Sequence, residues 1–154
     1  MNNGRDESEE ERLDRKFNDL LQELRVMQTG AQLTAGFLLT LPFQETFEDL
    51  NDFQVALYLA LVLLAALTTA LVMTPVAIHR RLTGRHVKER VVRSAHHIVH
   101  GVIACISLLV AGMVLLIWDV VVDRTWAGVA AGAIAAVLVI LLLVLPARLD
   151  TDAK

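Results

Sequence analysis

Four stretches of this 154-residue chain carry no formal charge: residues 26–43, 53–74, 101–118 and 126–146. An α-helix rises about 1.5 Å per residue, so about 20 residues cross a hydrocarbon core of about 30 Å. Each stretch is long enough, or nearly so once its neutral flanks are counted. Hydrocarbon offers no partner for backbone N–H and C=O groups, and an uninterrupted apolar run satisfies them internally as a helix. A water-soluble core has no use for blocks of this length. The composition agrees, with 55% hydrophobic and 20% charged residues against about 45–50% and 25% in soluble domains. The expected fold is all-α: a polytopic membrane protein with four transmembrane helices, preceded by a cytoplasmic amphipathic helix.

Lysine and arginine set the orientation, because they are retained on the cytoplasmic side of short loops. Arg5, Arg12, Arg15, Lys16 and Arg25 precede the first stretch, and Arg80, Arg81, Arg85, Lys88, Arg90 and Arg93 lie between the second and third. Arg148 and Lys154 follow the fourth. The loop at 44–52 has none and the loop at 119–125 has Arg124 alone. Thirteen of the fourteen basic residues thus fall on one side, which places both termini in the cytoplasm. Trp118, Trp126, Phe43, Phe47, Phe53 and Tyr58 lie near the opposite ends, where an interfacial aromatic belt belongs. The first 25 residues contain no apolar core of a cleavable signal, so the first span is expected to act as the uncleaved signal.

The segment before the first span has a pattern of its own. Leu13, Phe17, Leu20, Leu21 and Leu24 fall on one stripe of a helix, and Ser8 with Glu11 fits a capping box. The expected organisation is a disordered tail at 1–8, a cytoplasmic helix at 9–25 and a transmembrane domain at 26–146. Its spans lie near 26–43, 53–74, 97–118 and 126–146, with a tail at 147–154. Gly30 marks a place for a bend between the cytoplasmic helix and the first span. Surface-lying helices have a polar face rich in Lys and Arg, whereas residues 1–25 hold eight acidic residues against five basic ones. The apolar stripe is therefore expected to pack on protein, most simply on its own bundle.

No Asp, Glu, Lys or Arg lies deep in a span, which argues against an ion-coupled transporter, whose usual carriers are intramembrane carboxylates. The remaining polar residues gather toward the cytoplasmic side. Arg25, Gln28, Thr29 and Gln32 open the first span, His79 and Arg80 end the second helix after Pro75, and His96, His97 and His100 open the third. This inner-leaflet cluster is expected to be structural, since such side chains hydrogen-bond between helices. Two other roles use the same residues. His96 and His100 at i, i+4 could ligate a metal or haem with His79, and histidines near pH 6.5 could sense or relay protons. No carboxylate within the helix and no haem-attachment motif accompanies them, so no metal and no cofactor is expected. A single cysteine, Cys105, excludes an intramolecular disulfide and reads as a small buried side chain. Small residues mark helix packing: Gly30 on the first helix, Gly101, Cys105 and Gly112 on the third, and Gly128, Gly132 and Ala136 on the fourth. They serve either contact within the bundle or self-association.

The runs ELRVMQTG (23–30), FLLTLPFQ (37–44), TPVAIHR (74–80) and IWDVV (117–121) resemble a family of small four-helix actinobacterial membrane proteins grouped as a domain of unknown function. The resemblance covers about residues 16–146. It implies four spans and an inner-membrane location, and some members carry the label of a sodium:proton antiporter. Glu23, Arg25, Gln28, Thr29, Gly30, Pro42, Phe43, His79, Arg80 and Asp119 stand where the pattern matches, while His96, His97 and His100 lie outside it.

No nucleophile–base pair, P-loop or dinucleotide fingerprint is present, and a net charge of −3 gives no reason to expect nucleic acid. The chain therefore reads as a non-enzyme of the bacterial cytoplasmic membrane. It is expected to serve as an accessory subunit or homo-oligomeric scaffold, contacting a membrane-protein partner or its own copies through the N-terminal helix and Glu23–Gly30. The alternative is a small permeation protein for protons, cations or an apolar solute, with Gln28, Gln32 and His100 at its inner mouth.

Overall fold

The structure is a computed structural model that describes residues 9–82 and 88–152. Helix α1 (Glu9–Thr40) leads through two short 3-10 turns, Leu41–Phe43 and Glu45–Phe47, into α2 (Asp52–Leu82). Helix α3 (Lys88–Val121) is followed by α4 (Arg124–Val139), which passes through a π-helical segment (Ile140–Val144) into α5 (Leu145–Asp152). The described residues contain no strand. The expected tail at 1–8 lies outside them.

The segment at 9–25 and residues 26–40 form one helix, which runs without a break through Gly30, the place marked for a bend. It stops at Thr40 rather than 43, because Pro42 restricts the residue before it and has no N–H to continue the ladder. The second helix continues through Pro75 to Leu82, and the fourth continues past the expected end at 146 to Asp152. Pro146 explains the π segment. A proline ring collides with the carbonyl four residues back, and widening the preceding turn relieves that collision. The Leu145 N–H accordingly donates to the Ile140 carbonyl, five residues back.

Three helical segments are long and apolar enough to cross a membrane: Asp52–Ala77, Ile98–Val121 and Arg124–Leu149. The sequence led us to expect four. Residues 26–40 of α1 are diluted by Gln28, Thr29, Gln32, Thr34 and Thr40, so this segment does not qualify on hydropathy. The three that qualify leave most of their residues short of full burial, with Leu59, Leu63 and Leu67 on α2 and Val137, Ile140 and Leu141 on the last helix exposed. Apolar surface on that scale is unsuited to water and suited to lipid.

Helix α3 is the hub, packing on α1, α2 and α4, while α1 also packs on α2. Among the described residues the backbone of α4 comes close to neither α1 nor α2, and α4 meets α2 through Arg124 of its first turn. The arrangement is a three-helix unit with α4 laid against one side of α3, not a closed four-helix bundle. Leu24, Ala31 and Leu38 of α1 are buried at seven-residue intervals, the spacing of a coiled-coil seam. They feed two cores. Leu24 meets Val72, Val99 and Val102, with Leu20 and Met27 alongside. Leu38 meets Tyr58, Leu61, Ala65, Leu109 and Leu116. Leu20 and Leu24 thus place this part of the N-terminal apolar stripe on the chain's own bundle; the side chains of Leu13 and Phe17 lie outside the described residues.

One glycine governs helix approach. A Cβ at Gly112 would stand 2.5 Å from Leu61 Cδ2, so α2 and α3 meet there at glycine distance. At Gly30, Gly101, Gly128 and Gly132 a Cβ would meet nothing within 4 Å, so none of these marks a close approach within the chain. Gly112→Ala gains about 1 kcal/mol of helix propensity but crowds a Leu61 side chain that is itself buried, which costs about 1–3 kcal/mol. A net loss of about 1 kcal/mol is expected in thermal unfolding of the detergent-solubilised protein. Adding Leu61→Ala should reverse the crowding, so the double variant falls short of the sum of the two single losses.

Candidate functional site

The described side chains of the expected inner-leaflet cluster stand on helices that meet through aliphatic side chains. Arg25, Thr29 and Gln32 are exposed on α1 and Gln28 is half-buried. The Thr29 hydroxyl donates to the Arg25 carbonyl of its own helix at 3.0 Å, and Thr34 does the same to Gly30 at 3.1 Å. His100 is exposed on α3. Between the helices at this level stand Leu24, Val72, Val99 and Val102. His79 and Arg80 lie in the last turns of α2 and His96 and His97 in α3, and their side chains lie outside the described residues. Among the described residues no three His, Cys, Asp or Glu side chains converge as a metal site.

The polar residues that do converge are at the other end. Asp119, near the end of α3, is buried. Its carboxylate accepts from Gln54 Nε2 at 2.9 Å and from Arg124 Nε at 3.0 Å, with Arg124 Nη2 at 3.4 Å. Gln54 Nε2 also reaches the Asp119 carbonyl at 3.3 Å. The far side of the same carboxamide is occupied: Gln54 Oε1 accepts the Asn51 N–H at 3.0 Å, and Asn51 Oδ1 accepts the N–H groups of Phe53 and Gln54. This is a reciprocal capping box that satisfies orphan donors at the start of α2. Gln54 therefore caps its own helix with one end of its side chain and grips α3 with the other.

Arg124, the first residue of α4, completes the clamp and lays its guanidinium over the Phe53 ring at 3.9 Å from the centroid. Beside it, Asp123 Oδ1 caps α4 by accepting from the N–H groups of Thr125 and Trp126 at 2.8 and 3.0 Å. Nearby, Phe47 from the loop packs edge-on against Tyr58, with centroids 5.1 Å apart. One carboxylate thus ties together the ends of three helices. Among the described residues no buried side-chain nitrogen or oxygen lacks a hydrogen-bond partner. A network whose buried members are all satisfied fixes the geometry of the helix ends it joins.

Sequence reasoning singled out Asp119 only through the family resemblance and Arg124 only as the lone basic residue of its loop, and it left Gln54 unremarked. The local signal was Asn51 followed three residues later by Gln54 at the head of an apolar run.

Transmembrane-length helices packed through aliphatic side chains, with a satisfied polar clamp at one end, define an α-helical multi-pass membrane protein. This chain belongs to the family of unknown function DUF6328, whose model matches residues 6–146. No curated protein and no solved structure matches it.

Proposed function

We propose that the protein is a non-catalytic membrane scaffold or accessory subunit that works through helix contacts, with α1 as its contact element. In this reading residues 26–40 of α1 form a fourth span and both termini lie in the cytoplasm of a bacterial cytoplasmic membrane. The asymmetry of Lys and Arg between the two sides supports that orientation. The observation that carries the reading is the outward face of α1. It presents Arg25, Thr29 and Gln32 to the surroundings, while the space between α1, α2 and α3 is filled by aliphatic side chains.

The permeation alternative requires Gln28, Gln32 and His100 along one water-filled path. Gln32 and His100 are exposed on different helices, and Leu24, Val72, Val99 and Val102 pack together as an apolar core, so no observation favours it.

Tagged full-length protein, drawn from native membranes in mild detergent and analysed by quantitative mass spectrometry, tests the proposal. A second membrane protein in stoichiometric amount, or a second, differently tagged copy of this chain, is expected. Recovery of a solitary monomer removes the scaffold reading and turns attention to flux in liposomes.

A further inference from the structure

We propose that α1 is covered in the membrane by α1 of a second copy of this chain, with Gln32 paired to Gln32 across a two-fold axis. The inference deepens the scaffold reading and rests on α1 being a membrane span.

The argument begins with what each helix shows its surroundings. Helix α2 turns Leu59, Leu63 and Leu67 outward and the last helix turns Val137, Ile140 and Leu141 outward, as lipid requires. Helix α1 also exposes Val26, Leu33 and Phe37. Beside them, however, runs a second exposed line: Arg25, Thr29, Gln32 and Gly36, in steps of four, three and four residues. That alternation follows one side of a helix and has the period of a helix–helix seam. The hydroxyl of Thr29 is spoken for within its own helix. The carboxamide of Gln32 is not, and it makes no hydrogen bond among the described residues. Counted down from Thr40, it stands about 12 Å inside the helix end, well within a hydrocarbon core of about 30 Å. A carboxamide left bare to lipid there forfeits both its donors and its acceptor, an expensive arrangement.

The chemistry of the residue selects the occupant. A carboxamide donates through N–H and accepts through C=O, so it is complementary to itself. All copies of this chain enter the membrane in one orientation, so two α1 helices side by side run parallel and each residue meets its own counterpart. Gln32 then faces Gln32. Gly36, one turn along the same line and with nothing within 4 Å of a Cβ position, lets the two backbones close to hydrogen-bonding range. Arg25 meets Arg25 at the cytoplasmic end, where the long side chains reach water and their repulsion is screened.

Cysteine cross-linking of the full-length protein in native membranes tests the pairing, in a Cys105→Ala background and with copper phenanthroline as oxidant. Thr29→Cys, Gln32→Cys and Gly36→Cys should each yield a disulfide-linked dimer, while Leu63→Cys on α2 and Val137→Cys on α4 should not. Gln32→Leu should raise the dimer dissociation constant about three- to thirtyfold, the range spanned by interhelical hydrogen bonds in membranes. Gln32→Asn should retain more of the dimer than Gln32→Leu. Cross-links through Gly128→Cys and Gly132→Cys alone would place the second copy on α4 and overturn this pairing while leaving the scaffold reading intact. A foreign membrane protein that co-purifies in stoichiometric amount, and is released by Gln32→Leu, would overturn the second copy as the occupant with the same reading intact. A solitary monomer with neither cross-link nor partner would remove both.

Discussion

Asp119→Ala should lower the stability of the detergent-solubilised protein by about 2–3 kcal/mol, an effect seen as an earlier midpoint in thermal unfolding followed by circular dichroism. The buried carboxylate accepts from two side chains on two other helices, and hydrogen bonds to a charged group contribute about 1.5–3 kcal/mol each. The loss falls mainly on Gln54, whose Nε2 keeps only the 3.3 Å contact to the Asp119 carbonyl. Arg124 contributes less, because its side chain is 59% exposed and water screens the ion pair. Arg124→Ala should accordingly cost about 1 kcal/mol, since removing the guanidinium also opens the carboxylate to solvent. Asp119→Asn, which keeps an acceptor for Gln54, should fall between them. Equal effects of Asp119→Ala and Arg124→Ala would mean that the exposed ion pair, rather than the Gln54 contact, holds the helices.

Leu24→Asp should be more damaging still. Leu24 is 2% exposed and packs on Val72, Val99 and Val102. Removing a buried leucine costs about 2–5 kcal/mol, and an uncompensated buried carboxylate adds several more. We expect loss of the monodisperse folded species in size-exclusion chromatography. Leu20→Asp, at a half-buried position on the rim of the same core, should leave a folded species. From sequence alone the two leucines look interchangeable, and both substitutions would be expected to break partner contacts and spare insertion. A folded Leu24→Asp protein would show that α1 is not held by this core.

The contrast between these leucines shows how far the chain can be read without its structure. The three apolar helices are legible because hydrocarbon leaves the backbone no alternative, and an uncharged run of sufficient length states the outcome directly. Residues 26–40 are less legible because two glutamines and three threonines blur the same signal. The 3.6-residue period places Leu20 and Leu24 on one face, as it places Gln28 and Gln32. It does not say whether a face meets a neighbouring helix or the surroundings. Glycine spacing is silent in the same way: Gly128 and Gly132 make the more regular pattern, yet among the described glycines a Cβ would press on another helix at Gly112. The Gln54–Asp119 contact joins residues 65 positions apart. Its capping half is written locally in Asn51 and Gln54, whereas its tertiary half depends on two helix ends arriving together.

The packing of α4 along α3, with only its first turn reaching α2 among the described residues, has a consequence for how the protein is made. Both aliphatic cores are composed of residues from α1, α2, α3 and the loop beside Phe47, and all of these leave the ribosome before Arg124 does. The nascent chain can therefore reach its compact form three helices in, and the last hydrophobic segment docks onto a finished surface. The residue of that segment that joins the earlier helices is Arg124, which shares the Asp119 carboxylate with Gln54.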